Sequence, residues 1–470
     1  MAPSAPPKAT AEEFTGEPVR VVHVPFGYFP DVVGGTEVYV AQLARDLRAH
    51  GVESVIAAPA EGTVAARYEH EGVPVHRFGL SADASVDVLY GAGDEAAARA
   101  IAAVLDDVRA DVLHLHAFTR AASVRAAQSA RRTGARVAFT YHTPTASCVR
   151  GTLLHNGSEP CDGDLIAQRC AACLLESRGA PSAVSQALSR APIALGSAIG
   201  AAGLSGGFVT ALRARELTSA RHAAFRQLLA ESDAIVAVCE WVRLLLLRAG
   251  APPNRLALSR QGTPARARTH PVSRSSSGGD LRLAYAGRLH PTKGLHVVLR
   301  ALAANRDLRV TLDVFGAAQG ADGADYRREL VALSAGDSRV IFRSPLAADR
   351  VVDTLASYDA TVVPSQLLET GPLTVLESFA AGTPVIGSNL GGIAELVAHE
   401  HDGLLVRHAD SQAWGVALRR LAVDATLLDR LRAGVRPPRS TDDVARDMAA
   451  LYERIVPRRP TRSAPTAGVA

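Results

Sequence analysis

The chain has 470 residues, 47% apolar and 21% charged, with a net charge of +4. That is the composition of a soluble globular protein with room for two cores of about 100 to 200 residues each. So mild a basic excess gives no reason to invoke nucleic acid, and the first 17 residues lack the apolar run of a secretory signal, so a cytoplasmic protein with a disordered tail over 1–17 is expected.

Val19 to Pro25 reads as a buried strand, followed by the loop FGYFPDVVGGTE and an amphipathic helix from about Glu37 to Arg48, with Gly34 and Gly35 at its entry. Apolar runs at Val52–Ala58, Val112–Leu115 and Arg136–Tyr141 alternate with helical stretches such as Glu95–Arg109. This is the α/β pattern of a parallel sheet wrapped by helices, here Rossmann-like over 18–263. Gly91 to Ala96 matches the dinucleotide pattern G-x-G-x-x-A. The residues before it make a poor strand and no acidic residue closes a second strand about 20 residues on, which argues against an oxidoreductase.

Four of the five cysteines follow His142 closely, at Cys148, Cys161, Cys170 and Cys173, within an expected insertion over 145–215. Three readings stand open: a four-thiolate structural zinc site, four small buried hydrophobes, or a redox pair. Cys239 reads as plain core. Ala191 to Leu212 carries no charge over 22 positions. Its small residues and glycines favour a buried or interfacial helical hairpin over a membrane span. Seven arginines and no acidic residue lie between Trp241 and Gly279, which suits either an anionic membrane surface or a helix on the sheet with solvated arginines behind it.

The Pro-, Ser- and Gly-rich segment 264–279 reads as a linker to a second alternating unit over 280–440. There the strand from Leu281 to Ala286 runs into Gly287-Arg288, and a helix follows from about Gly294. Of 51 cationic residues only Lys8 and Lys293 are lysines, so a lysine in this turn is a departure from the chain's habit. A compact ammonium at Lys293 beside a planar fork at Arg288 could grip a diphosphate in two ways.

Glu369 and Glu377 stand eight apart around Gly371-Pro372, in a stretch from Val351 to Val406 without Lys or Arg. A helix is expected to start at Pro372 with Gly371 as its cap. The free amides of Leu373 and Thr374 would then point at a phosphate or a developing charge. Gly382 ends that helix, and Gly391-Gly392 opens a short one containing Glu395. If both glutamates lay on one helix they would be about 12 Å apart by rise, wider than the roughly 5 to 9.5 Å of hydrolytic carboxylate pairs. The last helix is expected over 441–456, capped at Ser440 or Thr441, with an apolar stripe of Val444, Met448, Leu451 and Ile455, and a disordered tail over 457–470.

In order and spacing, GRLHPTKG, the E-x7-E pair and GTPVIGSNLGGIAE resemble the retaining GT-B glycosyltransferases of the family-4 type, a subset of which carries a similar cysteine cluster. The resemblance spans about Val19 to Ile455. It implies two Rossmann-like domains facing a central cleft, with a C-terminal helix crossing back. It also implies transfer of a sugar from a nucleoside-diphosphate sugar to a glycan or lipid-linked acceptor with no metal in catalysis, and no DxD-type motif stands out. By the same resemblance Arg288 and Lys293 hold the diphosphate, Glu377 takes the ribose and Glu369 faces the transferred sugar. Gly371, Leu373 and Thr374 meet sugar and phosphate through backbone amides, Gly34 and Gly35 admit donor or acceptor from the other domain, and His142 lies near the reacting carbon. Phe342-Arg343-Ser344-Pro345 departs from the family's base-binding loop, which usually has a glycine after its strand. The rival reading is a non-catalytic, membrane-associated subunit that holds a nucleotide sugar.

Overall fold

A computed structural model describes residues 17–31, 34–60, 65–82, 84–155, 159–264 and 280–457. The expected tails apart from Glu17 and Pro457, the linker apart from its first residue, and three of the seven arginines between Trp241 and Gly279 lie outside the described residues.

The N-terminal domain is built on strands β1 (Val19–Val24), β2 (Val52–Ala60), β3 (Ala66–His70), β4 (Val73–Gly79), β5 (Val112–Leu115) and β6 (Arg136–Tyr141). A small hairpin, β7 (Leu154–His155) and β8 (Glu159–Pro160), stands apart, and β9 (Ala234–Ala237) and β10 (Leu256–Leu258) complete the sheet. Its order is β10-β9-β6-β5-β1-β2-β4-β3, parallel except for the edge strand β3. The centre reads as apolar runs because both faces are covered: every residue of β5 and β9 is buried. The β3–β4 hairpin, turning at Glu71-Gly72 with both residues at positive φ, was not among the expected elements.

Strands β11 (Leu281–Arg288), β12 (Val310–Ala317), β13 (Val340–Arg343), β14 (Ala360–Val363), β15 (Val385–Ser388) and β16 (Gly403–Val406) form the second sheet, all parallel, in the order β13-β12-β11-β14-β15-β16. The carboxyl ends of the two sheets meet across a cleft, where ligands bind in open α/β sheets.

The helix Thr441–Ile455 starts on a capping box between Ser440 and Asp443 and returns to the N-terminal domain. Val444, Met448, Leu451 and Tyr452 join the core of Val40, Leu43, Leu47 and Val52. The two chain crossings run side by side: Thr263 pairs with Ser440, and a Cβ on Gly262 would come within 2.4 Å of the Ser440 carbonyl.

One expected boundary changes, and two segments gain detail. The helix after Gly371 spans Leu373–Ala380, one residue later than expected, because Pro372 keeps an extended ψ of 94° and serves as the cap. The uncharged run breaks into Ile193–Ala201 and Gly207–Leu212, and among the described residues no helix is long and apolar enough to cross a membrane. Ile193–Ala201 lies mostly exposed and Gly207–Leu212 half-buried, because the 18-residue helix Ala214–Glu231 covers only one side of them. The four described arginines after Trp241 each have a protein partner while Arg248 stays exposed. Arg243 pairs with Glu240, Arg248 with Asp164 and Arg260 with Glu395, while Arg255 donates to the carbonyls of Ala230 and Ser232.

Candidate active site

Strand β11 ends on Gly287-Arg288 and leads into a 3-10 turn, Pro291–Lys293, that closes on Gly294 at φ 72°. A Cβ on Gly294 would lie 1.9 Å from the Pro364 carbonyl, so only glycine lets this turn press against the loop after β14. Two bonds fix that contact: Gln366 N–H to Thr292 O at 2.7 Å, and the Ser365 hydroxyl to Thr292 O at 3.3 Å. The seam brings the Lys293 ammonium 2.6 Å from Glu369 Oε1, which also accepts from Ser365 Oγ at 2.7 Å. Burial alone would raise the Glu369 carboxyl, but Lys293, Ser365 and nearby Arg288 outweigh it and hold it below the ordinary glutamate value. The cation missing from Val351–Val406 therefore comes from 76 residues upstream. Arg288 itself is exposed, its carbonyl held by the Tyr285 hydroxyl.

Glu377 follows on the helix Leu373–Ala380. Among the described residues nothing donates to its carboxylate, and burial pushes its pKa up to about 7. The first backbone bond of this helix runs from Val375 to Pro372 O, which leaves the Leu373 and Thr374 amides at the free positive end. Gly391 and Gly392 serve packing, since Cβ atoms there would meet the Glu369 backbone at 3.0 and 2.7 Å. Gly392 N–H also donates to Glu369 O.

From the other domain, Gly34 and Gly35 begin the helix Gly35–Asp46, where Glu37 accepts from the Gly34 amide at 2.8 Å. Gly35 faces Leu373, whose Cδ1 would lie 3.4 Å from a Cβ there, so two helix N-termini oppose each other across the cleft. His142 follows β6 and is buried. Its carbonyl accepts from the Thr370 hydroxyl, and its Nδ1 stands 3.5 Å from Gln261 Nε2. Glu395 bridges the domains: its carboxylate accepts from the amides of Glu240 and Trp241 at 2.8 and 2.7 Å and pairs with Arg260 at 3.1 Å.

The cleft thus gathers Lys293, Arg288, Glu369, Gly371, Leu373, Thr374 and Glu377 on one side and Gly34, Gly35 and His142 on the other. The cysteines lie apart, in the insertion. Burial chiefly pushes the Cys161 thiol up and the Cys170 thiol up to about 12, with Cys148 beside both adding to it. Cys173 turns to Arg150 and the Leu154 carbonyl. All four are free thiols, and no three of them bring their sulfurs within 4.8 Å of one another, so as placed they do not form a zinc ligand set. The described residues do hold one such close group, His23, His114 and His116, which the sequence reading missed. Its signal was the i, i+2 spacing of His114 and His116 on one face of a strand beside the one carrying His23.

Residues 34–262 match the family described as glycosyl transferase 4-like domain, and residues 280–424 the family described as glycosyl transferases group 1. Similar curated proteins include the D-inositol 3-phosphate glycosyltransferases of Rhodococcus jostii, 34% identical over 46% of this chain and 50% of that one, and of Stackebrandtia nassauensis, 37% identical over 33% and 36%. The chain therefore spans about half or less of the length of these relatives. Among solved structures, the sucrose-phosphate synthase of Thermosynechococcus elongatus (TM-score 0.62, 19% identity, 93% of this chain and 99% of that one) has the same fold. So has the Anabaena protein HepE, solved with UDP and glucose (TM-score 0.61, 16% identity, the same coverage).

Proposed function

From a chain that carries the 4-like and group 1 glycosyl transferase domains in succession on a GT-B fold, we propose a retaining glycosyltransferase that draws its sugar from a nucleoside diphosphate. The observation that carries this reading is the seam at Gly294, which sets the Lys293–Glu369 pair beside a free helix N-terminus and a half-buried glutamate with no partner among the described residues. A leaving nucleoside diphosphate gains charge as the glycosidic bond breaks. Lys293 and the Leu373 and Thr374 amides, already oriented, together with the exposed Arg288, would stabilise that charge more in the transition state than in the ground state. This chemistry asks for no metal. The unpaired Glu377 carboxylate suits the paired hydroxyls of a ribose, and Glu369, held ionised and aimed by Lys293 and Ser365, suits hydroxyls of the transferred sugar. His142 lies at the facing strand end, on the acceptor side. HepE was solved with UDP and glucose, which makes UDP the first base to try.

The acceptor is proposed to be a hydroxyl of a glycan or lipid-linked glycan in cell-surface assembly. The relatives' name adds a phosphorylated cyclitol to the acceptors worth testing. A peripheral position at the inner membrane face is favoured by one feature, the apolar surface of the insertion, where Leu195, Leu204 and Phe208 are exposed, the last by 73%. Flotation with anionic liposomes at low salt is expected to carry the protein, and Phe208→Ser to weaken it. Absence of co-flotation removes the membrane from the reading.

Calorimetric titration with a panel of nucleoside diphosphates tests the donor site. One base is expected to bind. Lys293→Ala and Glu377→Ala are each expected to lose about 1.5–3 kcal/mol, the worth of a hydrogen bond to a charged group, or more than tenfold in Kd. Folded wild-type protein that binds none of them overturns the transferase. Binding without donor-dependent release of nucleoside diphosphate, in the presence of acceptor extract, favours the non-catalytic subunit instead.

A further inference from the structure

Behind His142 the N-terminal domain holds a line of buried imidazoles that the proposed chemistry does not use. His142 Nε2 lies 3.1 Å from His116 Nδ1, His116 Nε2 lies 3.0 Å from His23 Nδ1, and His23 Nε2 lies 3.3 Å from the Ser54 hydroxyl. The first and second rings, and the second and third, stack at 5.3 Å between centroids. His114 stands beside the line with both nitrogens engaged elsewhere, by Tyr452 OH at 2.6 Å and Thr140 Oγ1 at 2.7 Å. The close group of His23, His114 and His116 is therefore already satisfied by protein partners, and a metal would have to break those bonds.

Burial lowers the pKa of His23 and His142 to about 3 and holds His114 and His116 well below the ordinary histidine value, so the rings are neutral. A neutral imidazole has one N–H donor and one acceptor nitrogen. In an unbroken line of three, the proton position on one ring therefore fixes the next. If His142 Nδ1 accepts, its Nε2–H donates to His116, His116 Nε2–H donates to His23, and His23 Nε2–H donates to Ser54. If His142 Nδ1 donates, all three rings hold their proton on Nδ1 and the Ser54 hydroxyl donates inward.

The end that decides is Gln261. Its Nε2 faces His142 Nδ1, and its Oε1 is buried without a partner beside Gly371, where a Cβ would come within 2.2 Å of it. We propose that Gln261 is a positioning residue that couples the donor loop to the His142–His116–His23 line. Its amide donates to His142 Nδ1 and so sets all three rings to the Nε2–H tautomer. Its free carbonyl oxygen, turned to the Gly371 loop, accepts from a hydroxyl of the bound sugar, which locks the amide in that orientation. The sugar contact rests on the transferase reading, whereas the tautomer order does not.

The test is long-range proton–nitrogen NMR of the histidine rings in the ligand-free full-length protein. The Nδ1 resonances of His142, His116 and His23 are expected together in the unprotonated range. Gln261→Glu replaces the donor with an acceptor and is expected to move all three into the protonated range. Ser54→Lys, at the partly exposed outer end, offers only a donor and is expected to produce the same reversal as far as His142, which keeps the test alive if the buried variant fails to fold. Mixed tautomers in the wild type, or a change confined to the ring next to either substitution, overturns the proposal. Because no sugar is present, failure of the transferase reading would leave this result intact.

Discussion

Glu369 and Glu377 share a motif and have opposite electrostatics. The first is ionised by its partners and the second is held back by burial. The sign of the second has a measurable result. A carboxyl whose folded pKa is raised from 4.5 to about 7 contributes stability that is fully present below 4.5 and is lost as pH rises through 7. Glu377→Gln is therefore expected to raise Tm relative to wild type at pH 8 and to leave it unchanged at pH 4, in thermal denaturation without ligand. An equal effect at both pH values would show that the carboxyl is not perturbed. Ribose hydroxyls donating to this group would favour its ionised form, so donor binding near neutral pH should release a proton that the glutamine variant does not release.

At the scale of elements, the turn at Pro291–Lys293 places Lys293 against Glu369. Gly294→Ala meets both a positive φ and the Pro364 carbonyl. It is expected to cost more than about 1 kcal/mol in denaturant unfolding and to weaken nucleoside diphosphate binding through displacement of Lys293. Normal binding in that variant would separate the seam from the site. These elements were readable in advance where pattern and chemistry agreed. Strands β5 and β6 fall on their expected residues because buried parallel strands are short continuous apolar runs. The glycine turns were visible as breaks. The Lys293–Glu369 pair was not, because strand order and not sequence distance brings β11 beside β14. The histidine line was hidden for the same reason: its members come from β1, the β5 end and the β6 end, and each alone resembles an ordinary core histidine. The arginines after Trp241 looked like a basic surface because the partners of Arg248, Arg255 and Arg260 lie on other elements and that of Arg243, Glu240, stands just before the stretch.

Over the whole molecule, the C-terminal helix ties the end of the chain to the first domain. Met448 and Tyr452 are as buried as any strand residue of the sheet they cover, and Tyr452 donates to or accepts from His114. Met448→Ala is expected to cost about 2–5 kcal/mol. Followed by hydrogen exchange, the loss should appear in β1, β5 and the helix Gly35–Asp46 and leave β11 to β16 protected. Loss of protection in the second sheet instead would mean that the helix stabilises the domain it follows in sequence.

Glu395 belongs by sequence to the second half, yet it caps a helix of the first. Building hybrid proteins by exchanging halves at the 264–279 junction would therefore transplant more than a binding surface. A replacement half without an acid at this position would leave the Glu240 and Trp241 amides and Arg260 unanswered, and the hybrid would carry a defect in the half that was never exchanged.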